Sequence, residues 1–185
     1  MAHPRVLERQ QSVLVVIDVQ EAYRNLTFEH ERMLRSVRRL IEAAKAVAVP
    51  ILATEQYPKG LGHFMPEVSD GFPPEQHPIE KRSLSCCGQP EFTTALLATG
   101  RHQVVVCGLE AHACVNQTVH DLLDQGYQVH LPYDAISSRF EVDYRTALEK
   151  LIGSGAVPAT VEMICLEWVR TADSPEFRTI QKLIK

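Results

Sequence analysis

No stretch of this chain is apolar for long enough to cross a bilayer. The longest run, residues 13–17, is five residues, against the roughly 20 that a spanning helix needs. The opening Met-Ala-His-Pro-Arg lacks the charged-then-apolar order of a secretion signal. No basic patch stands out. The 19 Lys and Arg are interspersed among 23 Asp and Glu, for a net charge of −4, which speaks against nucleic acid as a partner. No Cys-x-x-Cys pair occurs, which weakens redox and zinc-ribbon readings. The five cysteines (Cys86, Cys87, Cys107, Cys114 and Cys165) are odd in number, which argues for free thiols in a reducing, cytoplasmic setting. Neither GxGxxG nor GxxxxGK is present, so no nucleotide cofactor is expected. The histidines show no metal-ligand spacing, and the expected metal set is none. A Cys-dependent phosphatase needs Cys-x5-Arg, but His120 stands six residues after Cys114. With no repeat, low-complexity tract or long linker, residues 1–185 are expected to form one domain.

What is present is alternation. Residues 13–18 read VLVVID, a continuous apolar run ending in an acid, as expected of a strand buried on both faces of a parallel sheet. Residues 29–47 carry a helical stripe (Leu34, Val37, Leu40, Ile41, Ala44, Val47), with Glu29 and Glu31 placed in its first turn. Residues 51–54, 103–109, 127–131 and 156–159 read as further strands. Residues 90–99, 113–125, 141–152, 161–169 and 177–184 read as helices, the last opened by Ser174 as cap with Pro175 and Glu176 behind it. Between residues 56 and 79 the pattern dissolves among prolines and glycines. So long a loop is usually functional, and here it could form a lid or a subunit interface. The alternation predicts an α/β domain of three layers around a largely parallel sheet.

Ligands of such sheets gather at the carboxyl ends of the strands. Asp18 ends the first strand and Cys114 follows the strand at 104–109, so both belong on one edge. A thiol at a helix start sits near the positive end of the dipole, which is expected to lower its pKa and favour a nucleophilic thiolate. Such a nucleophile needs a base and a means of holding an oxyanion. Asp18 is a candidate base and His112 its rival. Lys81, at the end of the long loop, could supply positive charge. Papain-like use of any of the eight histidines is left open by spacing alone.

The segments VLVVIDVQ (Asp18, Gln20), EKRSLSC (Lys81, Ser85), CGLEAHACV (Cys114) and VHLPYDAISSR (Asp134, Ala135) together resemble the isochorismatase-like cysteine hydrolase superfamily. The wording TEQYPKGLG, GLEAHACV and FRTIQKLIK is similar to the isochorismatase-domain-containing branch. That resemblance implies a Rossmann-like α/β/α sandwich with a six-stranded parallel sheet in the order 3-2-1-4-5-6. It also implies an Asp18–Lys81–Cys114 triad and a non-proline cis peptide at Leu109–Glu110 that turns the Glu110 N–H towards an oxyanion. Nicotinamidases in the superfamily carry an Asp-x-His metal motif where this chain reads Glu55-Gln56-Tyr57. Isochorismatases proper lack the cysteine.

The expected activity is therefore hydrolysis of a C–N, amide-type bond of a small molecule through a Cys114 thioester. Tyr23, Tyr57, Glu110 and His112 are expected around the pocket, and a homo-oligomer (dimer or tetramer) is expected, with no cofactor, nucleic acid or membrane. Two alternatives are a redox-responsive binding module, suggested by Cys86-Cys87, and isochorismate-type vinyl-ether hydrolysis.

Overall fold

A computed structural model describes His3 and residues 5–185 of the chain. Six parallel strands form one sheet: β1 (Ser12–Ile17), β2 (Ile51–Gln56), β3 (Ile79–Lys81), β4 (Gln103–Gly108), β5 (Gln128–Pro132) and β6 (Val157–Ala159). Their order is β3-β2-β1-β4-β5-β6. Every residue of β1 and β4 is buried, which is why both are written without polar alternation. The helices are α1 (His30–Ala46), α2 (Pro58–Leu61), α3 (Pro66–Ser69), α4 (Pro90–Ala98), α5 (Asn116–Asp124), α6 (Glu141–Gly153), α7 (Val161–Val169) and α8 (Phe177–Ile184).

From β1 the chain steps one way through α1 to β2. From β4 it steps the other way through α5 and α6. Right-handed crossovers therefore put α1 on one face of the sheet and α5 and α6 on the other. The contacts agree: α1, α7 and α8 touch one another, while α5 packs against α6 and β5. The reversal of direction falls between β1 and β4, where their carboxyl ends open a crevice.

The expected strands and long helices are present, with bounds shifted by up to three residues, the most at the start of α5. The strand β3 was not read from the pattern. Its three residues are too few to show a period, and they follow a run of prolines and glycines. They nevertheless pair in register, Thr54 with Ile79 and Gln56 with Lys81. The stretch from 56 to 79 is not structureless, since α2 and α3 lie within it, each with proline in its first turn. Ser174 is not the cap of α8. Its hydroxyl hydrogen-bonds the Glu176 carboxylate, and Glu176 holds the cap position instead. Glu29 is likewise a cap residue of α1, in left-handed conformation, and Val47 closes that helix from outside it.

Gly108 is required where it stands. Its φ is 111°, and a Cβ there would lie 2.1 Å from the Ile17 carbonyl oxygen. Only glycine lets β4 end so close to β1, and the next N–H, of Leu109, donates to that same carbonyl at 2.8 Å.

His130 in β5 is fully buried, and neither ring nitrogen has a hydrogen-bond partner among the described residues. Burial pulls its pKa from 6.5 down to about 4. As pH falls, the unfolded chain takes up this proton before the folded one does. Stability contributed by the neutral ring is present above pH 6.5 and is lost as pH falls through the folded pKa, by about 3 kcal/mol in total. Urea denaturation between pH 7 and 4 should show this loss in the wild type and a smaller one in His130→Leu. Equal slopes in the two proteins would contradict the assignment.

Candidate active site

Three side chains converge at the β1/β4 crevice. Asp18 follows β1 with φ of 52°, a left-handed conformation that aspartate tolerates better than most residues. Its N–H donates to the Thr54 carbonyl, which fixes the turn. Lys81 ends β3, and its ammonium lies 2.7 Å from Asp18 Oδ2. The lysine side chain is 0% exposed and the aspartate 2%. The ammonium also donates to Gln56 Oε1 at 2.8 Å and to the Leu84 carbonyl at 3.1 Å, with Ser83 O at 3.4 Å. Its three N–H donors are thus fully used. Thr54 Oγ1 donates to the other carboxylate oxygen, Asp18 Oδ1, at 2.8 Å.

Cys114 is buried, and Asp18 and Lys81 are the charged groups that act most strongly on its thiol. It does not open an α-helix. It is the fourth residue of a π-helical turn, Ala111–Val115, that leads into α5. In that turn the Glu110 carbonyl accepts from the N–H groups of Ala113 at 3.0 Å and Val115 at 3.2 Å, bypassing Cys114 between them. The peptide Leu109–Glu110 is cis.

The expected acidic thiol is a point of correction. Burial pushes the Cys114 thiol up to about 12, and the Asp18 carboxylate adds to that rise. Lys81 opposes it without prevailing. Dipole proximity loses to desolvation because the sulfur is cut off from water. Burial likewise pushes the Asp18 carboxyl upward, against Lys81 and Thr54. Burial alone would lower Lys81, but Asp18 and the neighbouring thiols outweigh it and raise its pKa. At rest the thiol is protonated, and the carboxylate beside it is held by an ammonium with no donor to spare.

The remaining expected residues separate. Tyr23 is half-buried near the thiol; burial, with Glu110, Cys114 and Asp18 nearby, pushes its hydroxyl up to about 12. Glu110 is buried, and its Oε1 accepts from both the N–H and Nε of Arg139, each at 3.0 Å. His112 Nδ1 meets Ser138 Oγ at 3.0 Å, so its recorded partner is a loop hydroxyl rather than the thiol. Tyr57 is 40% exposed, with the Arg82 guanidinium 3.9 Å above its ring. Glu55 is buried, accepting from the Phe64 N–H at 2.7 Å and facing His63 Nδ1 at 3.0 Å. Among the described residues no third His, Cys, Asp or Glu joins that pair in a metal-binding group.

The Isochorismatase domain family model matches residues 12–163. The chain belongs to the isochorismatase family. "Isochorismatase domain-containing protein 2" of Danio rerio is 37% identical over 179 residues, 96% of this chain and 89% of that protein. "Secreted isochorismatase effector Isc1" of Phytophthora sojae is 39% identical over 178 residues, 94% and 84% of the two chains. A solved structure described as MAR1 ribonuclease from Caenorhabditis elegans superposes with a TM-score of 0.91 at 37% identity, covering 97% of this chain and 92% of that one.

Four residues at this isochorismatase-family site were not anticipated: Thr54, Gln56, Cys86 and Arg139. Thr54 and Gln56 lie at the carboxyl end of β2, so the strand-end rule could have found them. Cys86, buried with its thiol 3.7 Å from Thr54 Oγ1, depends on a fold contact invisible in the chain. Arg139 was read only as the end of a motif.

The thiol assignment has a direct check. Iodoacetamide alkylation of Cys114, followed by peptide mass spectrometry, should accelerate with pH well past neutrality, with a midpoint near 12. Asp18→Asn removes the neighbouring negative charge and should move that midpoint down. A plateau at neutral pH in the wild type would mean a preformed thiolate.

Proposed function

We propose that the chain is a cysteine hydrolase that cleaves a C–N, amide-type bond of a small molecule through a Cys114 thioester. One observation carries this reading: a buried thiol whose pKa burial pushes up lies beside the Asp18 carboxylate, which is itself buried, raised in pKa by burial and paired with Lys81 at 2.7 Å. A thiol with so high a pKa is a poor nucleophile without a base, and a raised carboxyl is better matched to accept its proton. Asp18 takes the Cys114 proton as sulfur attacks the carbonyl carbon. The N–H groups of Cys114 and Glu110 receive the oxyanion. The tetrahedral species collapses, the C–N bond breaks, and Asp18 returns the proton to the departing amine. Water, deprotonated by Asp18, then attacks the thioester, releasing the acid and restoring the thiol. Lys81 takes no proton in this sequence. Its saturated ammonium keeps Asp18 oriented and ionised between steps.

A second reading comes from the Caenorhabditis elegans relative, which is named a ribonuclease. Under it the substrate is a phosphodiester, and RNA rather than an amide would be consumed. The setting we infer is reducing, supported by five free cysteines, although the Phytophthora sojae relative is named as secreted. No helix among the described residues is long and apolar enough to cross a membrane. Exposed Leu97, Phe140 and Val142 support a homo-oligomer.

A panel of small amides and an RNA oligonucleotide, incubated with wild type, Cys114→Ala and Asp18→Asn, distinguishes the readings. Amide turnover should vanish in Cys114→Ala and fall about 10²–10⁴-fold in Asp18→Asn, the usual contribution of general-base catalysis. The asparagine variant should lose activity even as its thiol becomes more acidic. RNA cleavage without amide turnover would replace the leading reading, and amide turnover surviving Cys114→Ala would contradict the thioester.

A further inference from the structure

We propose that Thr54 and Cys86 are positioning residues for the base: a thiol and a hydroxyl that donate in series onto Asp18 Oδ1 and hold that carboxylate ionised for its work on Cys114. This rests on the hydrolase reading above and deepens it, by giving a task to two side chains that take no part in the chemical steps.

The direction of the series follows from its protons. An ionised carboxylate only accepts, and Thr54 has one O–H to give. That proton lies on Asp18 Oδ1, 2.8 Å away. The Thr54 oxygen keeps its lone pairs for Cys86, whose sulfur lies 3.7 Å off. Cys86 is therefore the donor of that pair. Burial pushes its thiol up to about 12, so the proton is in place at neutral pH. Both side chains are fully buried, and water is no substitute at either position.

Each member is held. Thr54 belongs to β2, in register with Ile17 of β1, and its carbonyl accepts the Asp18 N–H at 3.0 Å. It thus grips Asp18 by main chain and side chain at once, and its branched Cβ restricts the hydroxyl arm. Cys86 opens the short turn Cys86–Gly88. Its N–H donates to Thr118 Oγ1 at 2.9 Å. Thr118 is a fully buried residue of α5, one turn beyond Cys114. The relay is anchored on the helix that follows the nucleophile.

The two carboxylate oxygens have different partners. Oδ2 faces the Lys81 ammonium at 2.7 Å, and Oδ1 faces the Thr54 hydroxyl. Burial drives the Asp18 carboxyl towards its neutral form; Lys81 opposes this most, and Thr54 adds to the opposition. The titratable groups around the carboxylate are Lys81 from β3, Cys114 from the π-turn, Cys86 from its own turn and Tyr23 after β1. Lys81 is the cation among them, and it stays when Thr54 or Cys86 is replaced. A base must be ionised before it can accept, so losing the Thr54 O–H moves the pH at which Asp18 becomes competent. A donor to Thr54 strengthens the bond that Thr54 makes, which is how Cys86 acts at one remove.

The test reads the Asp18 carboxyl itself. The full chain is labelled with carbon-13 at its aspartate carboxyls, and Asp18→Asn identifies the resonance. Its titration midpoint is compared in wild type, Thr54→Val, Thr54→Ser and Cys86→Ala. Thr54→Val keeps the shape and removes the hydroxyl. It should raise the midpoint by about 1–2 pH units, the loss of one hydrogen bond to a charged group. Thr54→Ser should restore the wild-type position. Cys86→Ala should raise the midpoint by roughly 0.2–0.5 pH unit, the share that bond polarisation supplies. The acid limb of kcat/KM for an amide should move in the same order, with the plateau KM nearly unchanged.

An unmoved or lowered midpoint in Thr54→Val overturns the proposal. So does a rate loss equal at every pH with the limb in place, the mark of a merely structural residue. A shift in Thr54→Val without one in Cys86→Ala overturns the part assigned to Cys86. Should Thr54→Val fail to fold, Cys86→Ala carries the test, and an unmoved midpoint there overturns the relay. If no amide is hydrolysed but the midpoint rises as stated, the hydrolase reading fails and the relay stands. If turnover depends on Cys114 while midpoint and limb stay fixed in every variant, the relay fails and the hydrolase reading stands.

Discussion

A single buried ion pair, Asp18 with Lys81, constrains this end of the molecule. Both charges are out of water, where removing one partner of such a pair costs about 3–5 kcal/mol. The surrounding structure satisfies what the pair leaves over. Thr54 takes the second carboxylate oxygen, and Gln56 with the Leu84 carbonyl takes the remaining ammonium protons. These partners come from β2 and from the residues after β3, so the edge of the sheet is organised around two charges that contribute little to stability by themselves. A well-packed apolar pair would serve the fold as well. The proposed role of Asp18 as a base would give the chain a reason to keep them.

Close approach of β1 and β4 brings the thiol to that pair. Gly108 allows the two strand ends to meet, and the π-turn at Ala111–Val115 then sets Cys114 one bond out of helical step. The same turn places Glu110 where its side chain can orient Arg139. One short segment thus carries the proposed nucleophile and the buried carboxylate that holds Arg139. The opposite edge of the sheet, where residues 7–11 enter, contributes nothing to this cluster.

Much of this was legible in the chain. Continuous apolar runs announced β1 and β4 because both are buried on two faces, and the acid and cysteine beyond them fell on one edge by the rules of parallel sheets. The helical stripe of α1 was equally plain. Other features were not. β3 has three residues and no readable period, so Lys81 looked like loop, and its partners Thr54, Gln56 and Leu84 depend on register. Arg139 depends on a loop that docks across the chain onto residue 110. The acidity of Cys114 was misjudged for a physical reason: sequence position suggests a helix dipole, whereas burial, which outweighs it, is a property of the packed whole. Tyr57, expected around the pocket, is 40% exposed and lies beneath the Arg82 guanidinium.

The central claim is that the Asp18–Lys81 pair exists to serve a nucleophilic thiol. Mass spectrometry of the Cys114 peptide, acid-quenched during turnover of an amide, tests it most directly. An acyl group on Cys114 in the wild type is the expected result. Turnover that proceeds with Cys114 unmodified at every quench time would contradict it.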